Sequence, residues 1–216
     1  MPLKRWLVSI MKRACLRDER GAVLIEFVVI LPIFLIGLLL GGDLAYYIFV
    51  RQQVAYIART TADNASRIGE DSTKSVKQVS EADILDVLTG GSHQTPSLNF
   101  IKYGKIRLSS LEQNSAGGQW IHWQRCIGDL PHPSSYGEQG AGITGTAFPG
   151  MGKTTLKASA DGAIMFVEAA YDYTPLFGYF WTAKRKIVEF ASFRIRERRD
   201  LTTLINPEGV TAAACT

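Results

Sequence analysis

Residues 22–42 read AVLIEFVVILPIFLIGLLLGG and contain one ionisable side chain, Glu26. As a helix rising about 1.5 Å per residue, the run is roughly 31 Å long, close to the ~30 Å hydrocarbon core of a bilayer. A core helix of a soluble protein seldom goes so far without a polar face. Asp43 ends the run, and Tyr46 and Tyr47 follow where an interfacial aromatic belt would lie. The sequence therefore predicts a single membrane span.

Charge sets the orientation. Residues 1–21 hold six basic side chains (Lys4, Arg5, Lys12, Arg13, Arg17, Arg20) against Asp18 and Glu19, which accounts for the whole formal charge of +4. The other 195 residues carry equal numbers of acidic and basic groups. Balanced charge there argues against a polyanion-binding surface, so no nucleic-acid partner is expected. Basic residues crowding the N-terminal flank predict an N-in, C-out protein in the inner (cytoplasmic) membrane, with its main domain in the periplasm. A secretory signal would be shorter and would break at a small-residue cleavage site. Here the pattern continues as a helix instead. Leu44, Tyr47, Ile48, Val54, Ile57, Ala58, Ala65 and Ile68 fall near one face, with Arg51, Gln52, Arg59, Asn64 and Arg67 on the other. Gly69 offers a stop. One helix of about 70 Å, from Ala22 to Ile68, is expected.

The junction between charge and apolar run reads Arg20-Gly21-Ala22-Val23-Leu24-Ile25-Glu26-Phe27. A glycine precedes the apolar segment and a glutamate is the fifth residue after it. This resembles the processing site of type IV prepilins, matched here by Arg20, Gly21, Glu26 and Phe27. The longer runs RGAVLIEFVVILPIF and RQQVAYIARTTADNASR, and residues 167–177 (VEAAYDYTPLF), resemble TadE-like pseudopilins of the tight-adherence (Flp pilus) machinery. The resemblance implies that a prepilin peptidase cuts after Gly21 and leaves the helix as an anchor beginning at Ala22. It also implies a non-enzymatic minor subunit with four kinds of partner: the peptidase, the Flp pilin, a sister pseudopilin and an inner-membrane assembly platform. Cutting would free an α-amino group on Ala22, largely cationic at neutral pH given a reference pKa of about 7.7–8.0. Glu26 lies about 6 Å deeper along the axis, where a lone carboxylate is costly and calls for a partner. The resemblance supplies one, a neighbouring subunit's new amino terminus. Without it, Glu26 reaches back to the headgroups or pairs with Arg20. The alternative for the whole chain is a signal-anchored periplasmic binding or catalytic domain with an uncleaved anchor.

Beyond the helix, residues 80–88 predict a short helix. Segments 99–108, 120–126, 163–173 and 187–197 alternate as half-buried strands do. Asp161-Gly162 suggests a hairpin turn into the third strand. The expected fold class is α+β: a pilin-like plan in which the long helix packs on a small antiparallel sheet. Residues 1–21 are read as a cytoplasmic leader, 22–43 as the transmembrane helix, 44–69 as its amphipathic continuation and 70–216 as the periplasmic domain.

Of three cysteines, Cys15 lies in the leader. Cys126 and Cys215 remain as an even pair in an oxidising compartment, either bridged or buried as free thiols; the bridge is the favoured expectation. No cofactor, metal site or catalytic residue is predicted. Residues 147–154 (AFPGMGKT) approach a phosphate loop but lack its first glycine and the strand and helix that must flank it, so no nucleotide is expected. His122 and Cys126 are spaced to share one face of a strand, yet two ligands do not make a tetrahedral site. Trp120 and Trp123, three apart, are expected on opposite faces. No triad motif is visible among the serines, histidines and acids.

Overall fold

The computed structural model describes residues 19–68, 78–177, 184–196, 199–200 and 203–215. Most of the basic leader, with Cys15, lies outside them, as do the predicted stop at Gly69 and strand residue Glu197.

The apolar run and its continuation form one helix, α1 (Glu19–Arg67), 49 residues long with Pro32 inside it. Then come α2 (Glu81–His93), a 3-10 turn (Pro96–Leu98) and a single helical turn, α3 (Phe100–Tyr103). Four strands complete the fold: β1 (Gly104–Gln113), β2 (Gln119–Ile127), β3 (Ile164–Tyr173) and β4 (Arg185–Arg194). Their order in the sheet is β2-β1-β3-β4, and every neighbouring pair is antiparallel. The chain is thus α+β, a long helix laid on a small antiparallel sheet.

A reciprocal cap starts α2: Asp83 N–H donates to Ser80 Oγ (3.0 Å) and Ser80 N–H to Asp83 Oδ2 (3.2 Å). The helix runs five residues past the predicted end at Leu88, through Gly90 and Gly91, which disfavour helix on propensity alone. Packing decides the matter, because a Cβ on Gly91 would lie 2.2 Å from Thr61 Oγ1 of α1. Glycine is what lets the two helices approach there.

The first predicted strand starts too early. Phe100–Tyr103 is helical, introduced by Asn99 in the left-handed region (φ 44°), and β1 begins at Gly104. Asparagine tolerates that conformation. The turn buries Phe100, which stacks on Tyr171 at 5.7 Å between ring centres. Alternation over so few residues did not distinguish this turn from a strand.

One sheet face packs on α1. Ile106, Leu108, Met165, Val167, Ala169 and Ile187 meet Val50, Val54, Ile57, Ala58, Ala62 and Ala65 in one core. Val54, Ile57, Ala58, Ala65 and Ile68 of the predicted helix face are buried, but the start of that face is not. Leu44 and Ile48 are exposed (59% and 47%), while Val50, Thr61 and Ala62, absent from the expectation, are buried. The opposite face is covered by the connection 128–163, whose Met151 and Ala158 pack with Leu111, Ile121, Ile164 and Phe166. Two covered faces explain why β1 is buried along nearly its whole length, whereas β4, at the edge, is only half-buried, so neither of its faces reads as cleanly apolar. Asp161-Gly162 does lie in a turn, closed by Gly162 N–H to Ser159 O at 3.2 Å. It is not a hairpin, since β3 pairs with β1 and β4, never with β2.

A bulge in β2 overturns two further expectations. Ser110 faces Trp123 while Leu111 faces Ile121, so His122 is the extra residue. Trp120, opposite Glu112, and Trp123, opposite Ser110, therefore share the helix-side face, not opposite ones. The same insertion separates His122 from Cys126, which faces Arg107 on the other side.

Candidate functional site

The N-terminal part of α1 carries the predicted junction. The helix begins at Glu19, so Arg20, Gly21 and Ala22 are already helical, three residues before the expected start. Gly21 has open space where a Cβ would be. A helical glycine costs about 1 kcal/mol relative to alanine, so this turn unwinds more readily than its neighbours. Glu26 and Phe27 are both exposed; Glu26 is four residues beyond Ala22 and on the same helical face. Val23 to Leu40 present an almost unbroken apolar surface, and none of the most apolar window of α1 is buried by the rest of the chain. By length and composition this is the one membrane-anchor helix among the described residues.

At the opposite end of the apolar surface, α1 is clamped to the sheet. Asp43 is 2% exposed, and its Oδ1 accepts hydrogen bonds from Leu176 N–H (2.9 Å) and Phe177 N–H (3.3 Å). Tyr173 packs its ring on Tyr46 and Tyr47, at 5.9 and 5.2 Å, and donates its hydroxyl to Asp43 O (3.4 Å). Burial, then the nearby Asp43, pushes the Tyr173 hydroxyl above its ordinary pKa. A Cβ on Gly42 would come within 3.2 Å of the Phe177 ring. From sequence alone Asp43 marks only the end of the apolar run. The available signal was an acid directly after two glycines and before two tyrosines, a composition suited to close approach and a buried acceptor.

Higher up, Arg51 Nε donates to Glu189 Oε1 of β4 (2.6 Å) and Arg196 to Asp63 (2.8 Å). Arg199, 9% exposed, donates to the carbonyls of Ala65 (3.0 Å) and Ser66, capping the C-terminal turn of α1. Cys126 and Cys215 are joined by a disulfide, with Cα atoms 4.9 Å apart. Cys126 N–H also donates to Ala213 O (2.7 Å), and the Ile121 backbone exchanges hydrogen bonds with Ala141 and Gly140. The outer edge of β2 is thereby closed by two segments distant in sequence.

The other chemistry-bearing clusters among the described residues make links between strands and loops. Buried Glu168 accepts from Ser135 Oγ (2.5 Å) and Ser135 N–H (3.2 Å), and lies 3.2 Å from His132 Nε2. In a nucleophilic triad the serine bonds the histidine and the histidine bonds the acid. Here the acid is the hub and the serine proton goes directly to it, so the arrangement pins the 128–163 connection to β3. Arg107, on the adjacent strand, reaches the same connection through His132 O (2.8 Å); burial lowers its pKa, and Glu168 and Glu138 oppose that shift. His122 Nδ1 lies 2.9 Å from Glu112 Oε2 and its ring stacks on Trp120 at 4.4 Å. Residues 147–154 form a tight reversal, not a loop opening a helix. Met151 N–H donates to Leu156 O (3.4 Å) and Leu156 N–H to Met151 O (2.7 Å).

Comparison with known proteins finds no match among curated proteins and none among solved structures. It does find a family, described as TadE-like protein, that matches residues 21–67. That interval opens at the glycine of the junction and closes at the last residue of α1. Over its long helix, though not over its sheet, this chain is a match to the TadE-like proteins, a family associated with tight-adherence pili.

Proposed function

We propose that the chain is a minor pilin-like subunit needed to assemble a tight-adherence pilus, cut by a prepilin peptidase after Gly21. The observation carrying this reading is the bare apolar face of α1, with Gly21 and Glu26 at its inner tip. A rod with that surface is stable in lipid or against other apolar helices, not in water. The six basic residues in front of it favour an N-in, C-out orientation in the inner membrane, with the sheet in the periplasm. Removing them leaves Ala22 as a cation one helical turn from a carboxylate. In one subunit the two groups sit about 6 Å apart along the axis. In a neighbour displaced by one turn, the new amine of one chain meets Glu26 of the other. The pair fixes axial register, because slipping by a turn strands a charge in a medium of low dielectric. Flp pilin, a sister pseudopilin and the inner-membrane assembly platform are the partners this reading names. No catalytic step is assigned to the chain.

Co-production with the cognate peptidase, followed by N-terminal sequencing, tests it. Ala22 should be the first residue, and Gly21→Lys should leave the leader in place. A full-length N-terminus in the unsubstituted protein rejects the reading. Glu26→Ala should be cut normally yet reduce surface piliation at least about tenfold, a pairing worth roughly 1.4 kcal/mol or more. Undiminished piliation removes Glu26 from the proposed role.

A further inference from the structure

The end of the sheet beside Asp43 differs from the rest of the outer domain in what it exposes. Register places the start of β1, the end of β3 and the start of β4 there: Gly104 faces Tyr171, and Tyr173 faces Arg185. Beyond α1, the described residues leave five large apolar side chains exposed: Tyr103, Ile143, Leu176, Phe177 and Phe193. Tyr103 immediately precedes β1, and Leu176 and Phe177 follow β3, so three of the five crowd this one end. Leu176 is 57% exposed and Phe177 43%, although Asp43 holds both of their backbone N–H groups. Lys102, Lys184, Arg185 and Lys186, all exposed, belong to the same end, against Asp129 and half-buried Asp172. Lys102 Nζ lies 5.2 Å above the Tyr103 ring, and Lys186 Nζ donates to Pro131 O (3.2 Å).

The long helix sets the height of this end against a bilayer. Gly42 is the last residue of the apolar run, and the Phe177 ring lies against it, 3.2 Å from where its Cβ would be. Exposed Ile48 is only about 7.5 Å further along the axis than Asp43. The headgroup layer on each side of the hydrocarbon core is about 5–8 Å deep. A span with residues 22–42 in hydrocarbon therefore puts Leu176 and Phe177 at the boundary between tails and headgroups. Tyr46 and Tyr47, expected from sequence to form the interfacial belt, are half-buried against Tyr173. The more exposed rings at this level come from the sheet instead.

We infer that Tyr103, Leu176 and Phe177, together with Lys102, Lys184, Arg185 and Lys186, make a second contact with the membrane that α1 spans, and that this contact favours anionic phospholipid. Apolar side chains enter the tail–headgroup boundary while cations stay with the phosphates, the division of labour of interfacial protein segments. Each Lys or Arg near an anionic surface adds attraction that fades within a Debye length, about 8–10 Å in ordinary salt. Lipid suits the patch better than a protein partner on two grounds. The patch is continuous with the anchor through the Phe177–Gly42 contact, and its excess of cations over acids complements a negatively charged leaflet. Held at α1 and again at the sheet, the outer domain keeps a fixed tilt on the membrane. The inference rests on the membrane-anchored reading above and is independent of cutting after Gly21.

The test reconstitutes the full chain, with Cys15→Ser, in vesicles of phosphatidylcholine containing a minority of phosphatidylglycerol. One spin label is attached at Leu176→Cys, at Ile143→Cys or at Ile33→Cys within the span. Ile143 is the control, equally exposed at 57% but near the far end of the sheet, where Gly145 lies against Gly118. Relaxation by oxygen, which concentrates in lipid, is compared with relaxation by a water-soluble nickel chelate. The Leu176 label should favour oxygen, as the Ile33 label does, and the Ile143 label should favour nickel. Omitting phosphatidylglycerol should shift the ratio of lipid-exposed to water-exposed Leu176 label toward water about tenfold, and Lys102→Glu with Arg185→Glu should do the same in its presence. A Leu176 label as wet as the Ile143 label overturns the inference. So does one shielded from both relaxants, which means that protein covers it, and so does indifference to phosphatidylglycerol and to the charge reversals. The Ile33 label separates the two claims: in lipid while the Leu176 label is in water, it sinks this inference alone, whereas an Ile33 label in water sinks the anchor beneath it.

Discussion

Asp43 is a buried acceptor at the point where the apolar surface of α1 ends. Its carboxylate ends two backbone N–H groups of the β3–β4 connection that have turned away from the sheet. Charge-assisted bonds to a buried acceptor are worth about 1.5–3 kcal/mol each in context, and removing the acceptor leaves both donors unpaired. Asp43→Leu should therefore lower stability by roughly 3 kcal/mol or more. Asp43→Asn, which keeps a carbonyl oxygen, should lose about half as much, read as thermal unfolding in detergent. Tyr171 carries a pH signature. Burial, then Tyr46, Tyr103 and Asp172, pushes its hydroxyl from the ordinary value of 10.0 up to about 12. Below pH 10 both the folded and unfolded chain hold this proton, and its contribution to stability is complete. Between pH 10 and 12 the unfolded chain gives the proton up while the folded one keeps it, so stability falls as pH rises through that window. Tyr171→Phe should flatten this alkaline limb, though it forfeits the hydrogen bond to Leu98 O at 3.1 Å. An unchanged slope in denaturant titrations from pH 9 to 12 contradicts the assignment.

The elements show where the sequence was legible. α1 could be read from its apolar length and its Arg/Gln-rich outer half, because lipid-length hydrophobicity and 3.6-residue periodicity leave few alternatives. The strands were legible through alternation to within a few residues, apart from the start of β1. What escaped the reading depends on contacts that no single segment contains. The bulge at His122 turns Trp120 onto the face of Trp123, an outcome visible only once β1 is the partner. The outer half of α1 buries Val50 and Ala62 instead of Leu44 and Ile48 because the sheet and α2 meet it on that side. The candidate processing residues were legible as a motif, whereas the Asp43 clamp required two backbone amides 133 and 134 residues away. The crossing of α1 and α2 belongs to the same class. With Thr61 Oγ1 only 2.2 Å from a Cβ at Gly91, Gly91→Ala should destabilise by about 1–3 kcal/mol. In a double-mutant cycle, Thr61→Ala should recover much of the loss, since it removes the clashing atom. Simple additivity of the two changes would show that the crossing is not the source.

At the scale of the molecule, the disulfide ties positions 89 residues apart and holds the chain near Ala213 against the outer edge of β2. Closing a loop of that size removes about 4–5 kcal/mol of unfolded-state entropy, an upper figure for the stabilisation. The Cys126→Ser, Cys215→Ser double variant should unfold at markedly lower denaturant, and dithiothreitol should bring the parent to the same midpoint. An unshifted midpoint would mean that the hydrogen bonds of the two covering segments suffice. The other edge, β4, has its neighbour on one side only, and Arg185, Lys186 and Arg194 at its ends discourage stray pairing. The clamp at Asp43 also has a mechanical meaning. Roughly 36 Å of α1 lies beyond it, its most apolar stretch unburied by any described residue, and Pro32 sits near the middle of that overhang. Such an arm is a cantilever fixed at one end. A tilt of about 10° at the fixed end sweeps its tip sideways by about 6 Å, more than half the ~10 Å width of a helix. Conversely, a tug on Glu26 is delivered as torque to the contacts of Asp43 with Leu176 and Phe177, so a force applied at the far end of the helix is felt first at the end of β3.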